Sequence, residues 1–376
     1  MIRKPADITP DAPPAGNAFK LGLFAANCSG GQAATTVPES WPGDWDGNLD
    51  VAIMADEAGL DFMLPIARWR GYGGASIFHT SSLDTTTWAA GLLAQTKRIT
   101  IFSTVHAAFT HPVMAAKQFA TLTQIGHGRF GLNVVCGWNE PEYRMFGLTL
   151  AEDHVDRYAY GREWLDIVRR LWTSEQPFDW HGKYFQLEQA IGAPKPYRGQ
   201  EPIILNAAAS AEGQQFAMQV SDFLLTSLVD LDKTRRQVAA LKAEARDQFN
   251  RPIEVFGVGH VVCRPTRRAA EDYYEYYANQ HGDWVAVDQL MLIQGRHAKS
   301  FTAEELRSHR VRFAGGHGTY PLIGSPDDVA AQIEQVSWTG LAGIAFSFVD
   351  YRAEFPFFRD EVLPRLVRKS LRLEAF

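Results

Sequence analysis

The sequence predicts a single (β/α) barrel, and three observations point there. Apolar, β-branched runs alternate with amphipathic helical stretches from Phe19 onward, with no linker between them. The run Phe130 to Val135 has the length and composition of a buried parallel strand. Polar loops rich in glycine and aromatic residues follow these runs, where barrels of this kind carry their sites. A chain of 376 residues would by length suggest two domains, but α/β barrels often run this long as one unit.

Residues 1–18 hold too much proline and too little apolar material to fold, so they read as a tail or an arm over a neighbour. Residues 19–376 read as one domain. A first strand, Phe19 to Ala26, leads to a long Gly/Pro/Trp loop and then to a helix through Leu49, Ala52 and Ile53 that ends at Gly59. The strand Phe62 to Ile66 opens into the loop A-R-W-R-G-Y-G-G, whose arginines and rings invite an anion or an aromatic ligand. Asp84 caps a helix running to Lys97, and the strand Ile99 to Val105 follows. His111-Pro112 opens the next helix, to about Ile125, and the strand Phe130 to Val135 closes that unit.

The loop from Cys136 to Tyr143 is rich in groups that bind. Next come an amphipathic helix, Val155 to Trp172, and a small hairpin at 178–187 turning at His181-Gly182. The strand Pro202 to Ala207 precedes a helix opening at Ser210, and the strand Phe223 to Thr226 precedes a charged helix from Asp232 to Phe249. The strand Ile253 to Cys263 and the helix Arg267 to Asn279 make another pair. Residues 280–320 break the rhythm: an amphipathic piece, Val285 to Ile293, and then G-R-H-A-K-S-F, R-S-H-R-V-R-F and G-G-H-G-T-Y. An irregular insertion of this length reads either as a lid over the barrel mouth or as a disordered or dimer-contacting excursion. The last unit runs through I-G-S-P-D-D-V-A-A-Q-I and the strand Gly343 to Val349 to a helix from Phe357.

Composition narrows the function. A net charge of −6 without a basic cluster argues against nucleic acid or an anionic membrane as partner. The three cysteines, Cys28, Cys136 and Cys263, lie far apart, which fits a reducing, cytoplasmic setting and no disulfide framework. There is no P-loop, GxGxxG, HExxH or GxSxG, and no pattern of metal ligands. Asn133, an amide inside an apolar strand, must find partners. It caps buried backbone or meets the polar edge of a ligand. Ser210, between a strand and a helix, and Arg157-Tyr158 near another helix start are suited to a phosphate, or are an ordinary cap and a surface ion pair. His106 faces a substrate, while His111 shapes its helix start. Trp41, Trp45, Trp69 and Trp138 are walls for a pocket or members of the core.

Several stretches together carry a resemblance. They are F-K-L-G-L-F, R-W-R-G-Y-G-G, the long run H-P-V-M-A-A-K-Q-F-A-T-L-T-Q-I-G-H-G-R-F-G-L-N-V-V-C-G-W, P-E-Y-R-M-F-G, H-V-D-R-Y-A-Y, the Ser210 turn and L-I-G-S-P-D-D-V-A. Through them the chain, from Phe19 to about Ser347, resembles the bacterial luciferase-like flavin-dependent monooxygenases. It is most similar to the branch with dimethylsulfone monooxygenase and the pyrimidine oxygenase.

The resemblance implies a (β/α)8 TIM barrel acting as a two-component monooxygenase. Reduced FMN would come from a separate NAD(P)H-dependent flavin reductase, and the substrate would be a small organic molecule of sulfone, sulfonate or heterocyclic amide type. It places flavin contacts at Ala67, Arg68, Asn133, Glu142, Arg157, Tyr158 and Ser210. In members that form a flavin N5-oxygen adduct, a leucine, a threonine and an asparagine line the oxygen niche, and Leu64, Thr104 and Asn133 stand at those positions. A homodimer or homotetramer is also implied. The alternatives are a deazaflavin (F420)-dependent oxidoreductase on the same fold and a flavin-binding relative without catalysis.

Overall fold

In the computed structural model, residues 16–208, 210–228, 230–294 and 303–374 are described. The predicted tail therefore falls mostly outside them, as does the stretch 295–302 of the insertion.

The chain opens with β1 (Lys20–Phe24), α1 (Trp45–Glu57), β2 (Phe62–Leu64), α2 (Thr85–Gln95), β3 (Thr100–His106), α3 (Pro112–Ile125) and β4 (Phe130–Val135). A short α4 (Glu140–Met145) and a long α5 (His154–Thr173) follow, and then the hairpin β5 (Phe178–His181) and β6 (Gln186–Ala190). After β7 (Ile203–Ala207) come α6 (Ala211–Val220), β8 (Phe223–Leu225), α7 (Leu231–Phe249), β9 (Glu254–Cys263) and α8 (Arg267–Tyr274). The last elements are α9 (Trp284–Ile293), α10 (Ala303–Gly316), β10 (Tyr320–Gly324), α11 (Pro326–Ser337), β11 (Gly343–Ser347), α12 (Tyr351–Phe357) and α13 (Leu363–Arg368).

Eight parallel strands close on themselves in the order β1–β2–β3–β4–β7–β8–β9–β11 and back to β1. The barrel interior is packed, not hollow: Phe62 meets Phe102 and Phe256 edge-on at 6.0 and 5.5 Å, and Leu64, Leu205 and Leu225 fill the same cluster. Aromatic rings bury large areas and favour such tilted contacts. Helices cover the outside through a second, larger cluster that includes Trp41, Trp88 and Trp164. Caps are local and legible. Asp44, Asp84, Asp153, Ser210 and Asp230 each accept a backbone N–H at a helix start, and Ser325 with Asp328 forms a capping box. His111 caps α3 through its ring, as its place before Pro112 suggested.

Three expectations change. The region 280–320 is mostly helical where described, in α9 and α10, and it leads into β10 instead of an irregular loop. The last helical unit opens earlier than Phe357, at Tyr351 behind the cap Asp350. The hairpin turns later, across Gly182–Phe185, and its second strand reaches Ala190.

The insertion is supported by one long strand. The first half of β9 pairs with β8 as part of the barrel, and its second half, Gly259 to Cys263, pairs with β10 instead. β9 thus carries the chain beyond the barrel, and α10 packs there. Gly315 lets α10 come close, because a Cβ on it would stand 2.6 Å from the Tyr274 ring. A packed cluster of Tyr72, Phe78, Val287, Leu290, Met291 and Phe313 ties α9 and α10 to the loops after β1 and β2.

Candidate active site

A cavity of about 290 Å³ opens at the carboxyl ends of the strands. β3 and β4 supply its most distinctive polar groups. Thr104 and Asn133 are register partners on neighbouring strands, so their side chains stand side by side. The Asn133 amide donates to Thr104 Oγ1 at 3.1 Å, and that hydroxyl donates to the carbonyl of Pro65 at 2.6 Å. The arrangement fixes the amide with its oxygen turned away. Asn133 Oδ1 is buried and has no partner, an expensive state for a polar atom unless a ligand fills it. The amide therefore does not serve to cap buried backbone.

Arg68 borders the same cavity from the loop after β2. Its guanidinium lies 3.1 Å from Glu142 Oε1, with both side chains buried, and the Trp138 and Tyr72 rings flank it at 5.0 and 5.3 Å. The same Glu142 oxygen accepts the backbone N–H of Trp69 at 2.9 Å and of Arg70 at 3.3 Å. Burial works against the charge on Arg68, but Tyr72 and Glu142 more than offset it, and the group is held above its ordinary value. Glu142 reaches this place because the segment read as a loop forms α4, with Pro141 in its first turn. Arg68 Nε and Glu142 Oε2 are buried without partners.

A second group gathers where the loop after β4 meets the start of α6. Arg157 donates to the carbonyl of Gly137 at 3.1 Å, and its Nε is buried and unpartnered. Burial raises the Tyr158 hydroxyl, which faces the Ser210 side chain. Ser210 in turn caps α6 through the Gly213 N–H at 3.2 Å. A helix start, a cation and two hydroxyls together suit a phosphate.

Ala67, Arg68, Thr104 and Asn133 thus line one cavity, and Glu142 stands behind Arg68. Arg157, Tyr158 and Ser210 form their own group beside it. Leu64 does not border the cavity. It belongs to the barrel-interior cluster against which the cavity residue Phe24 packs. Of the four tryptophans, Trp138 lines the cavity, Trp41 is core, and Trp45 and Trp69 are substantially exposed.

His106 lines the cavity too, buried against Phe109 at 5.0 Å in a parallel stack. Burial, and then the charge on Arg68, push its imidazole down to about 3, so it is neutral at any ordinary pH. Among the residues that sequence reasoning did not single out are Gln294, Phe313, His317 and Thr319, which α9, α10 and the turns after them bring to the cavity. The histidine and glycines of G-G-H-G-T-Y were the available signal. Among the described residues, no group of histidine, cysteine and carboxylate side chains could hold a metal ion.

The cavity and its unpaired polar atoms fit a planar ligand with hydrogen-bonding edges and a phosphate-bearing arm. Comparisons with known proteins give the family. The family model for luciferase-like monooxygenases matches residues 19–343. A pyrimidine monooxygenase, RutA, of Allorhizobium ampelinum is 31% identical over 342 residues, covering 88% of this chain and 92% of the relative. Two solved structures share the fold. DmoA from Hyphomicrobium sulfonivorans has a TM-score of 0.85 at 18% identity and covers 96% and 90% of the two chains. Riboflavin lyase RcaE, solved with modified FMN and riboflavin, has a TM-score of 0.81 at 23% identity and covers 95% and 93%. The chain belongs to the luciferase-like monooxygenase family.

Proposed function

We propose that this monooxygenase is the oxygenating half of a two-component system. A separate NAD(P)H-dependent reductase supplies its reduced FMN in the cytoplasm, and it oxidises a small organic substrate of sulfone, sulfonate or heterocyclic amide type. The observation that carries the reading is the Thr104–Asn133 pair at the floor of a largely apolar cavity, with one amide oxygen left open. Reduced FMN supplies two electrons to dioxygen, so that one oxygen atom enters the substrate and the other leaves as water.

The chain's own residues do the positioning. Asn133 Oδ1 offers an acceptor to the edge of the ring, and Thr104 holds that amide in orientation. Arg68, fixed by Glu142, presents a donor from the side. Arg157, Tyr158 and Ser210 hold the phosphate. Apolar walls such as Leu225, Val258 and Phe313 exclude water, and Phe24 adds an apolar surface where dioxygen is taken up.

Few groups grip the phosphate, and the partners of the ring are fixed in advance. Binding is therefore tighter for reduced FMN than for oxidised FMN. Anaerobic titration of both forms tests this, together with ¹⁸O₂ incorporation into product when a flavin reductase is added. Stoichiometric copurification of oxidised flavin, or substrate turnover without oxygen uptake, refutes the two-component reading.

A further inference from the structure

The polar groups around the cavity divide into those already engaged and those left open. Thr319 donates to the Gly316 carbonyl at 2.6 Å and meets His260 Nδ1 at 3.1 Å. Gln294 and His317 contact each other at 3.0 Å. Thr104 is committed twice over, to Pro65 and to Asn133. Asn133 Oδ1, Arg68 Nε and His106 Nδ1 are buried cavity atoms with no partner among the described residues. The flavin reading uses the first two and leaves His106 unexplained.

The position of His106 is informative. It stands two residues after Thr104 on β3, so its side chain is on the same face of the strand, roughly 6–7 Å nearer the barrel mouth. Its ring is held between Phe109, parallel at 5.0 Å, and Trp69, edge-on at 5.3 Å. A ring clamped in this way presents its nitrogens in a set direction. Charge is informative as well. Arg68 is the one lysine or arginine bordering the cavity among the described residues, and Glu142 already neutralises it at 3.1 Å. An anion entering this cavity would lose its hydration and, among the described residues, meet no available cation.

We propose that His106 contacts the substrate and, with the Arg68 charge taken up by Glu142, makes the site selective for compact, uncharged substrates bearing carbonyl, amide or sulfonyl groups over sulfonates and carboxylates. This rests on the flavin reading above, because it places the substrate one rung beyond the Thr104–Asn133 pair. The neutral state of the imidazole fits the same role, since it can donate from one nitrogen and accept at the other.

The test uses the full chain loaded with reduced FMN under anaerobic conditions. Uracil, dimethyl sulfone and methanesulfonate are titrated in turn and followed by calorimetry. The wild type should bind at least one neutral probe about tenfold or more tighter than methanesulfonate, the scale of one well-placed hydrogen bond. His106→Phe keeps the stack on Phe109 and Trp69 and removes both nitrogens. It should lose about tenfold in affinity for that probe, with reduced-FMN affinity within about twofold of wild type. His106→Gln, which restores a polar atom, should recover part of the loss, a pattern that a packing role would not produce. Methanesulfonate binding as tightly as the neutral probes overturns the proposal, as does unchanged neutral-probe affinity in His106→Phe. Binding of none of the three probes overturns it too. Failure of the wild type to bind reduced FMN would instead bring down the flavin reading.

Discussion

Replacing Thr104 with valine tests the site most directly. The side-chain shape is nearly conserved, so the change removes a hydroxyl and little else. The hydroxyl makes two bonds, donating to Pro65 at 2.6 Å and accepting from Asn133 at 3.1 Å, and both partners sit in a buried setting. Each group left unsatisfied costs about 1–3 kcal/mol, so the variant should lose at least about 2 kcal/mol of stability, seen as a lower unfolding midpoint in urea. The larger effect is on coupling. Because the hydroxyl proton is given to Pro65, Thr104 serves the site through Asn133, whose amide it holds in place. Without that anchor, Asn133 Oδ1 is no longer aimed, and product per reduced flavin should fall by roughly 10²-fold, the scale of losing one oriented group. Flavin would still be oxidised, and hydrogen peroxide should rise as product falls. Thr104→Ser keeps both bonds and should couple nearly as well as wild type. Product and peroxide, each measured per reduced flavin supplied, decide the matter. Full coupling in Thr104→Val would mean that Thr104 is only a strand residue.

Other expectations follow from the same geometry. Glu142→Ala leaves the Arg68 guanidinium buried and unpaired, which should cost about 3–5 kcal/mol of stability by urea titration and weaken reduced-FMN binding. His106 and His260 are both pushed by burial to about 3, far below the 6.5 of an unfolded chain. The unfolded state therefore binds more protons between pH 6.5 and 3, and stability should fall on acidification through that window by up to about 1.4 kcal/mol per pH unit for each histidine. His260→Gln should flatten that slope in thermal melts. Exposed apolar side chains on α3, with Met114 at 60% and Val113 at 37%, and Val155 on α5 at 63%, favour at least a dimer. Sedimentation velocity at micromolar concentration should show it, and a monomer would refute it.

Much of the barrel was legible because its signals are local. Asp84, His111-Pro112 and Ser210 mark helix starts by the chemistry of their own side chains, and Phe130 to Val135 is a strand by composition. The misses have local causes as well. α4 spans Glu140–Met145 only, too short to show a period, and its proline reads as a loop residue until it is seen in the first turn. β10 carries Pro321, which suits a strand with one partner, and β9 is that partner. α10 ends in Gly315 and Gly316, normally a sign against a helix. What overrides it is the pressure of Tyr274 and His260 on the space their side chains would need. That information belongs to residues distant in the chain, and no window along the sequence contains it.

The site divides in the same way. Arg68, Thr104 and Asn133 were legible because each lies at or just beyond the end of a predicted strand, where a barrel concentrates its polar groups. Gln294, His317 and Thr319 were not, because they arrive from a segment whose helices pack on Tyr72 and Phe78, residues distant in the chain. This division follows the chemistry proposed for the two halves. The floor, set by strand register, presents fixed groups to the flavin, and register leaves them little freedom to drift. The roof hangs on side-chain packing against Tyr72 and Phe78, where a change of one residue can alter the cavity without disturbing the barrel. His106 stands between them, on a barrel strand yet clamped by Phe109 and Trp69, so its ring keeps a fixed direction whichever way the roof is built.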